Sequence, residues 1–186
     1  MDTDRGSTLL TLARGAIAEA LGAAPAAIGP GGWLAVPGAT FVTLTRGGEL
    51  RGCIGTLIAE RPLHEDVTHN ARAAAFHDPR FLPVTRRELA DIAVEISLLS
   101  ALESLSFESE SHLLAQLRPG TDGLLLEHGR RRGTFLPQVW EQLPEPKSFL
   151  KHLKHKAGLP TDFWVRDLKV SRYTVTKWRE TDARVN

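Results

Sequence analysis

The chain has 186 residues, of which 42% are hydrophobic and 24% charged, with a formal net charge of +1 and a single cysteine. That balance describes a globular protein and excludes disordered and fibrous classes, and the length suits one domain or two small lobes sharing a continuous core. One thiol excludes an internal disulfide, a multi-cysteine zinc site and an iron–sulfur cluster held by this chain, and no stretch approaches the roughly 20 apolar residues that span a bilayer.

The start, Met1-Asp2-Thr3-Asp4-Arg5, is polar and acidic rather than basic and then apolar, so no secretory signal is expected and the setting reads as cytoplasmic. Ser7 is placed to cap a helix running to about Leu21, with Leu9, Ala13, Ile17 and Leu21 at helical spacing and Gly22 as its stop. From Ala23 to Gly38 the chain is rich in Gly, Pro and Ala and reads as a surface loop anchored by Trp33.

Phe41-Val42-Thr43-Leu44-Thr45, the turn Arg46-Gly47-Gly48-Glu49 and Leu50-Arg51-Gly52-Cys53-Ile54-Gly55-Thr56-Leu57 predict a hairpin with the cysteine inside its second strand. Strict alternation puts Leu50, Gly52, Ile54 and Thr56 on one face and Arg51, Cys53, Gly55 and Leu57 on the other. Glycine within a strand marks a bulge or the close approach of a ligand or backbone, so Gly52 and Gly55 around a thiol and a guanidinium suggest a pocket wall. A neighbouring arginine favours the thiolate, the nucleophilic form. The competing reading makes Cys53 a small buried hydrophobe.

Arg61-Pro62 opens a second helix with Leu63, Val67, Asn70, Ala71 and Ala74 on one face. A buried Asn70 either ties down a loop or lines a site. His77-Asp78-Pro79-Arg80-Phe81 ends the helix, and Asp78 with Arg80 reads as an ion pair fixing the turn. Thr85 and Glu88 have capping-box spacing for a short helix. Ile92 to Leu99 is the strongest strand, and Glu95 within it needs a partner such as Arg51 or stands beside Cys53 as a base or ligand.

A helix around Ser109 to Leu117 precedes a second hairpin, Leu124–Glu127 and Thr134–Pro137, whose tip carries Arg130, Arg131 and Arg132. Three guanidiniums there offer donor forks for phosphate or carboxylate. Ser148 is placed to cap a helix with Phe149, Leu150, Leu153 and Ala157 on one face and Gly158 as its stop. His152 and His155 sit among lysines, and His64, His69 and His77 share no helical face, so no metal site is expected. Lys169 to Trp178 reads as one terminal strand. Charge is uneven: residues 1–117 carry 9 Lys or Arg against 14 Asp or Glu, and residues 118–186 carry 14 against 8.

Leu50-Arg51-Gly52-Cys53-Ile54-Gly55 resembles the signature hexapeptide of the AMMECR family. The likeness continues through Asn70-Ala71-Arg72-Ala73-Ala74-Ala75-Phe76-His77-Asp78-Pro79-Arg80-Phe81, Val94-Glu95-Ile96-Ser97-Leu98-Leu99-Ser100 and Thr134-Phe135-Leu136-Pro137-Gln138-Val139-Trp140, in the family's order. The resemblance implies an α+β fold, mainly antiparallel sheet covered by helices, as a single domain over residues 1–186 or two lobes with a cleft. It implies a role beside a Memo-like protein, itself similar to extradiol dioxygenases, and a radical-SAM protein, with no activity established and no cofactor of its own.

Three functions follow. Cys53 serves as a nucleophile or redox thiol with Arg51 and Glu95, in a pocket lined by Gly52, Gly55 and Asn70. Alternatively Arg130, Arg131 and Arg132 bind RNA or another anion, with strong salt dependence. The third is an adaptor that positions its partners without catalysis. No membrane and no DNA partner are expected.

Overall fold

Gly47 and Gly48 both adopt positive φ, at 58° and 85°, which only a type I′ turn between two tightly paired strands requires. They join β1 (Thr40–Arg46) to β2 (Glu49–Gly55) in the computed structural model, which describes residues 2–24 and 31–180. The described residues divide into two compact units, which fall within residues 1–99 with 176–186 and within 100–175.

In the first unit the hairpin joins β3 (Ile92–Leu99) and β8 (Val175–Arg179) in a four-stranded sheet of order β2-β1-β3-β8, antiparallel where β1 meets β2 and β3. Two helices, α1 (Asp2–Ala20) and α2 (Leu63–Phe76), share a core with one face of this sheet. Leu9, Ala13 and Ile17 of α1, Val67, Ala71 and Ala74 of α2, and Val42, Leu44, Val94 and Ile96 of the strands are all essentially inaccessible. The expected apolar spacing of both helices is what builds this core.

The helix start at Ser7 needs correction. The helix begins at Asp2, and the Ser7 hydroxyl donates back to the Asp4 carbonyl inside the helix rather than capping it. The expected helix after Thr85 is also absent. Glu88 does reach back to the Thr85 amide and hydroxyl at 2.9 and 3.0 Å, the reciprocal half of a capping box, but the chain forms successive turns. Of the loop expected from Ala23 to Gly38, residues 25–30 lie outside the described residues, and Gly32–Ala35 forms one 3-10 turn.

The second unit holds β4 (Glu103–Ser104), α3 (Glu110–Gln116), β5 (Gly123–His128), β6 (Arg131–Phe135), α4 (Pro146–Lys156) and β7 (Lys169–Tyr173), with sheet order β4-β7-β5-β6. Its core joins Leu124, Leu126 and Val170 to Leu113, Phe149, Leu150 and Leu153, with Trp140 stacked on Phe149 at 3.8 Å. Ser109 caps α3 as expected, accepting from the His112 amide. Ser148 does not cap α4, which starts two residues earlier at Pro146, a residue suited to the first turn. The terminal strand expected over Lys169–Trp178 is two strands in two different sheets, parted at Thr174, whose amide and carbonyl bond to Ser100.

Candidate functional site

Cys53 lies on β2, the edge strand of the first sheet. An edge strand leaves a row of main-chain groups without a neighbouring strand. At Cys53 two side chains from the turn after α2 supply the partners. The Cys53 amide donates to Asp78 Oδ2 at 2.9 Å, and Arg80 Nη2 donates to the Cys53 carbonyl at 3.3 Å. Asp78 and Arg80 are themselves joined, Nε to Oδ1 at 2.9 Å and Nη2 to Oδ2 at 2.7 Å. The ion pair expected from sequence is present, and it closes the sheet edge as well as the turn. The Arg80 guanidinium holds the Asp78 carboxyl well below the usual carboxylate range, overriding the upward push of burial, and the amides of Cys53 and Arg80 add to the effect.

Because the amide and carbonyl of Cys53 point outward, its pairing with Thr43 is of the non-hydrogen-bonded kind, in which facing side chains come closest. The half-buried thiol accordingly lies 3.2 Å from the Thr43 hydroxyl. Thr43 also faces Glu95 across β1 and β3, so Cys53, Thr43 and Glu95 lie on one row of the sheet. Glu95 is two strands from the thiol, roughly 10 Å, which exceeds direct proton transfer. Its ionic partner is Lys177 of β8, at 3.9 Å, and not Arg51.

The register explains where Arg51 went. Thr45 pairs with Leu50 and Leu44 with Gly52, so Arg51 is the extra residue of a β-bulge. Thr45 and Leu44 face opposite sides of β1, and so Leu50 and Gly52 do not share a face as strict alternation expected. Arg51 itself has no cross-strand partner on β1. The Arg51 guanidinium is bound by Glu88, at 3.1 and 3.4 Å, and lies 5.9 Å from the Phe81 ring centroid. Arg51, backed by the Thr85 amide, holds the Glu88 carboxyl down at about 2. The Nη1 of Arg51 is buried without a hydrogen-bond partner.

Both glycines answer to packing. A Cβ on Gly52 would stand 2.1 Å from the Ala74 carbonyl oxygen of α2, and one on Gly55 would stand 2.2 Å from the Phe41 ring. Asn70 is fully engaged: its amide donates to the Thr40 carbonyl at 2.9 Å, Thr56 Oγ1 at 3.0 Å and Asp66 Oδ2 at 3.0 Å. Asp66 also accepts from the amide and hydroxyl of Thr40 and meets Arg61 at 3.2 Å, so the start of β1, the end of β2 and α2 share one buried polar network. Sequence reasoning missed Asp66 and Thr43. The spacing Asp66-x-x-x-Asn70, one helical turn on a buried face, was the available signal for the first, whereas the bulge hid the second.

The arginine hairpin lies in the second unit. Its connection is the two residues Gly129 and Arg130, with Gly129 at φ 59°, tighter than the six-residue tip expected. Arg131 donates to the Gly158 carbonyl at 2.6 Å, and Arg132 pairs across the strands with Glu127. Arg131 and Arg132, adjacent on β6, start towards opposite faces, and Arg130 lies in the turn.

A family model described as AMMECR1 matches residues 10–178. A protein of Aeropyrum pernix is 38% identical over 191 aligned residues, spanning 99% of this chain and 82% of the relative. A protein of Methanothermobacter thermautotrophicus is 42% identical over 142 residues, covering 75% of this chain and 74% of its own length. The crystal structure of the uncharacterised protein PH0010 from Pyrococcus horikoshii superposes with a TM-score of 0.82 at 35% identity, over 94% of this chain and 91% of that one. The antiparallel sheets and helices of this chain are the α+β architecture expected from the sequence.

Proposed function

The chain belongs to the AMMECR1 family, and from that premise we propose that it is a cytoplasmic component of a modification system, working with a Memo-like protein and a radical-SAM protein through a pocket around Arg51 and Cys53. The observation that supports this reading is the convergence on Cys53 of segments far apart in sequence. Thr43 meets the sulfur, while Asp78 and Arg80 hold both main-chain groups of Cys53. Fixing a side chain through its supporting shell is what a reactive or ligand-holding group requires. In this reading Cys53 is the reacting or binding group, Arg51 and Glu95 supply charge at its margins, and Gly52, Gly55 and Asn70 keep the backbone in place. No helix among the described residues is long and apolar enough to cross a membrane.

The test is the pH dependence of Cys53 alkylation in the folded chain, with Arg51→Ala and Glu95→Gln measured alongside. Labelling in the folded state with a midpoint below the reference thiol value of about 8.5 supports the reading. A thiol that stays unlabelled until the chain is denatured overturns it.

A further inference from the structure

Arg80 is built differently from an ordinary surface arginine. Its side chain is 53% exposed, yet it is fixed by a carboxylate only 2% exposed. Asp78 spends both oxygens inward: Oδ1 accepts from the amide and Nε of Arg80, and Oδ2 accepts from Nη2 of Arg80 and the amide of Cys53. The guanidinium is further set 5.5 Å from the Phe81 ring centroid, on the same ring that Arg51 approaches. All of these bonds use Nε and Nη2. The Nη1 edge, with two N–H donors, carries none of them.

We propose that Arg80 is a preorganised oxyanion-binding residue, and that the site beside Cys53 takes a ligand bearing a carboxylate or a phosphate. This rests on the reading of Cys53 as the site's reactive group. Three features carry it. A guanidinium already held in place loses little freedom on binding, and the two N–H groups left on Nη1 are charge-assisted donors for a carboxylate or phosphate oxygen. The negative member of the pair is buried and the positive member faces water, so an approaching ligand meets the cation. Arg80 also grips the Cys53 carbonyl, so an anion on Nη1 is held next to the residue that carries the thiol.

Two measurements on the full chain test this. Inorganic phosphate and, separately, acetate are titrated against the backbone amide resonances of Cys53 and Arg80. Saturable shifts in the wild type that vanish in Arg80→Met and persist, weakened, in Arg80→Lys support the site, and the tighter of the two probes identifies the oxyanion. Shifts absent, or equal in wild type and Arg80→Met, overturn it. In the second measurement, Cys53 is alkylated with anionic iodoacetate and neutral iodoacetamide. An iodoacetate-to-iodoacetamide rate ratio on the order of threefold to tenfold above that of the denatured chain, lost in Arg80→Met and at high salt, is the expected result. A ratio equal to the denatured value overturns the proposal. Phosphate shifts with an unreactive thiol would retain the anion site and remove the reactive role of Cys53, so the two readings fail separately. Arg72→Met, which breaks the pair with Glu19 and the bond to the Ala16 carbonyl, both on α1, is the control for lost positive charge.

Discussion

The main-chain amide of Cys53 is bound by the buried carboxylate of Asp78 at 2.9 Å, so a side chain closes the edge of the sheet where a further strand would otherwise pair. Removing that carboxylate strands the Cys53 amide and leaves Arg80 without its counter-charge. Asp78→Ala is therefore expected to cost about 2–4 kcal/mol in urea unfolding, and Asp78→Asn, which keeps one acceptor, about half of that. Equal stability of Asp78→Ala and wild type would show that the edge is held by other means.

Acid stability follows from Glu88. Arg51 and the Thr85 amide lower its folded-state pKa from the ordinary 4.5 to about 2. A carboxyl lowered on folding contributes fully above its unfolded value, and that contribution is lost as the pH falls from about 4.5 towards 2. Both side chains are partly open to solvent, so the contribution is on the order of 1 kcal/mol. Glu88→Gln should be less stable than wild type at pH 7 and converge with it near pH 2, as followed by thermal unfolding across that range. A constant gap at every pH would mean that the ion pair contributes nothing through its charge.

The two motif glycines should separate under substitution. Gly52→Ala drives a methyl into the Ala74 backbone oxygen at 2.1 Å, and neither the strand nor α2 can yield without moving the core. A loss of roughly 2–4 kcal/mol is expected. Gly55→Ala meets the Phe41 side chain, which has torsions of its own, so the loss should be smaller. Melting temperatures of the two variants decide this, and a reversed order would refute the packing argument.

Much of the first sheet was legible because its patterns are local. Ile92–Leu99 alternates in sequence and is β3 to the residue, and the buried face of α2 is the one that helical spacing marks. What failed depended on relations beyond a single segment. A bulge at Arg51 cannot be seen in one strand, since it is defined by the partner strand, and it shifts every facing residue beyond it. The segment Lys169–Trp178, rich in β-branched and aromatic residues, carries no break as strong as glycine or proline, so its division between two sheets at Thr174 was hidden. At the candidate site, Cys53 and the Asp78–Arg80 pair were each readable, but their bond joins residues 25 positions apart.

The second unit offers a test of a different kind in Lys154, which is wholly inaccessible and reaches Glu110 at 2.5 Å beside the Trp164 ring. A buried ammonium is tolerable only with its counter-charge, and breaking such a pair costs more than the pair itself contributes. Glu110 is about one-third exposed, which lets water moderate the loss, so Glu110→Gln should cost roughly 2 kcal/mol. Lys154→Met keeps an apolar stem at this buried position while removing the charge. The double variant Glu110→Gln with Lys154→Met should therefore regain most of what Glu110→Gln alone loses. Urea unfolding of the two single variants and the double one gives the coupling directly. If the two losses simply add, the ion pair does not hold α3 to α4, and apolar packing alone does.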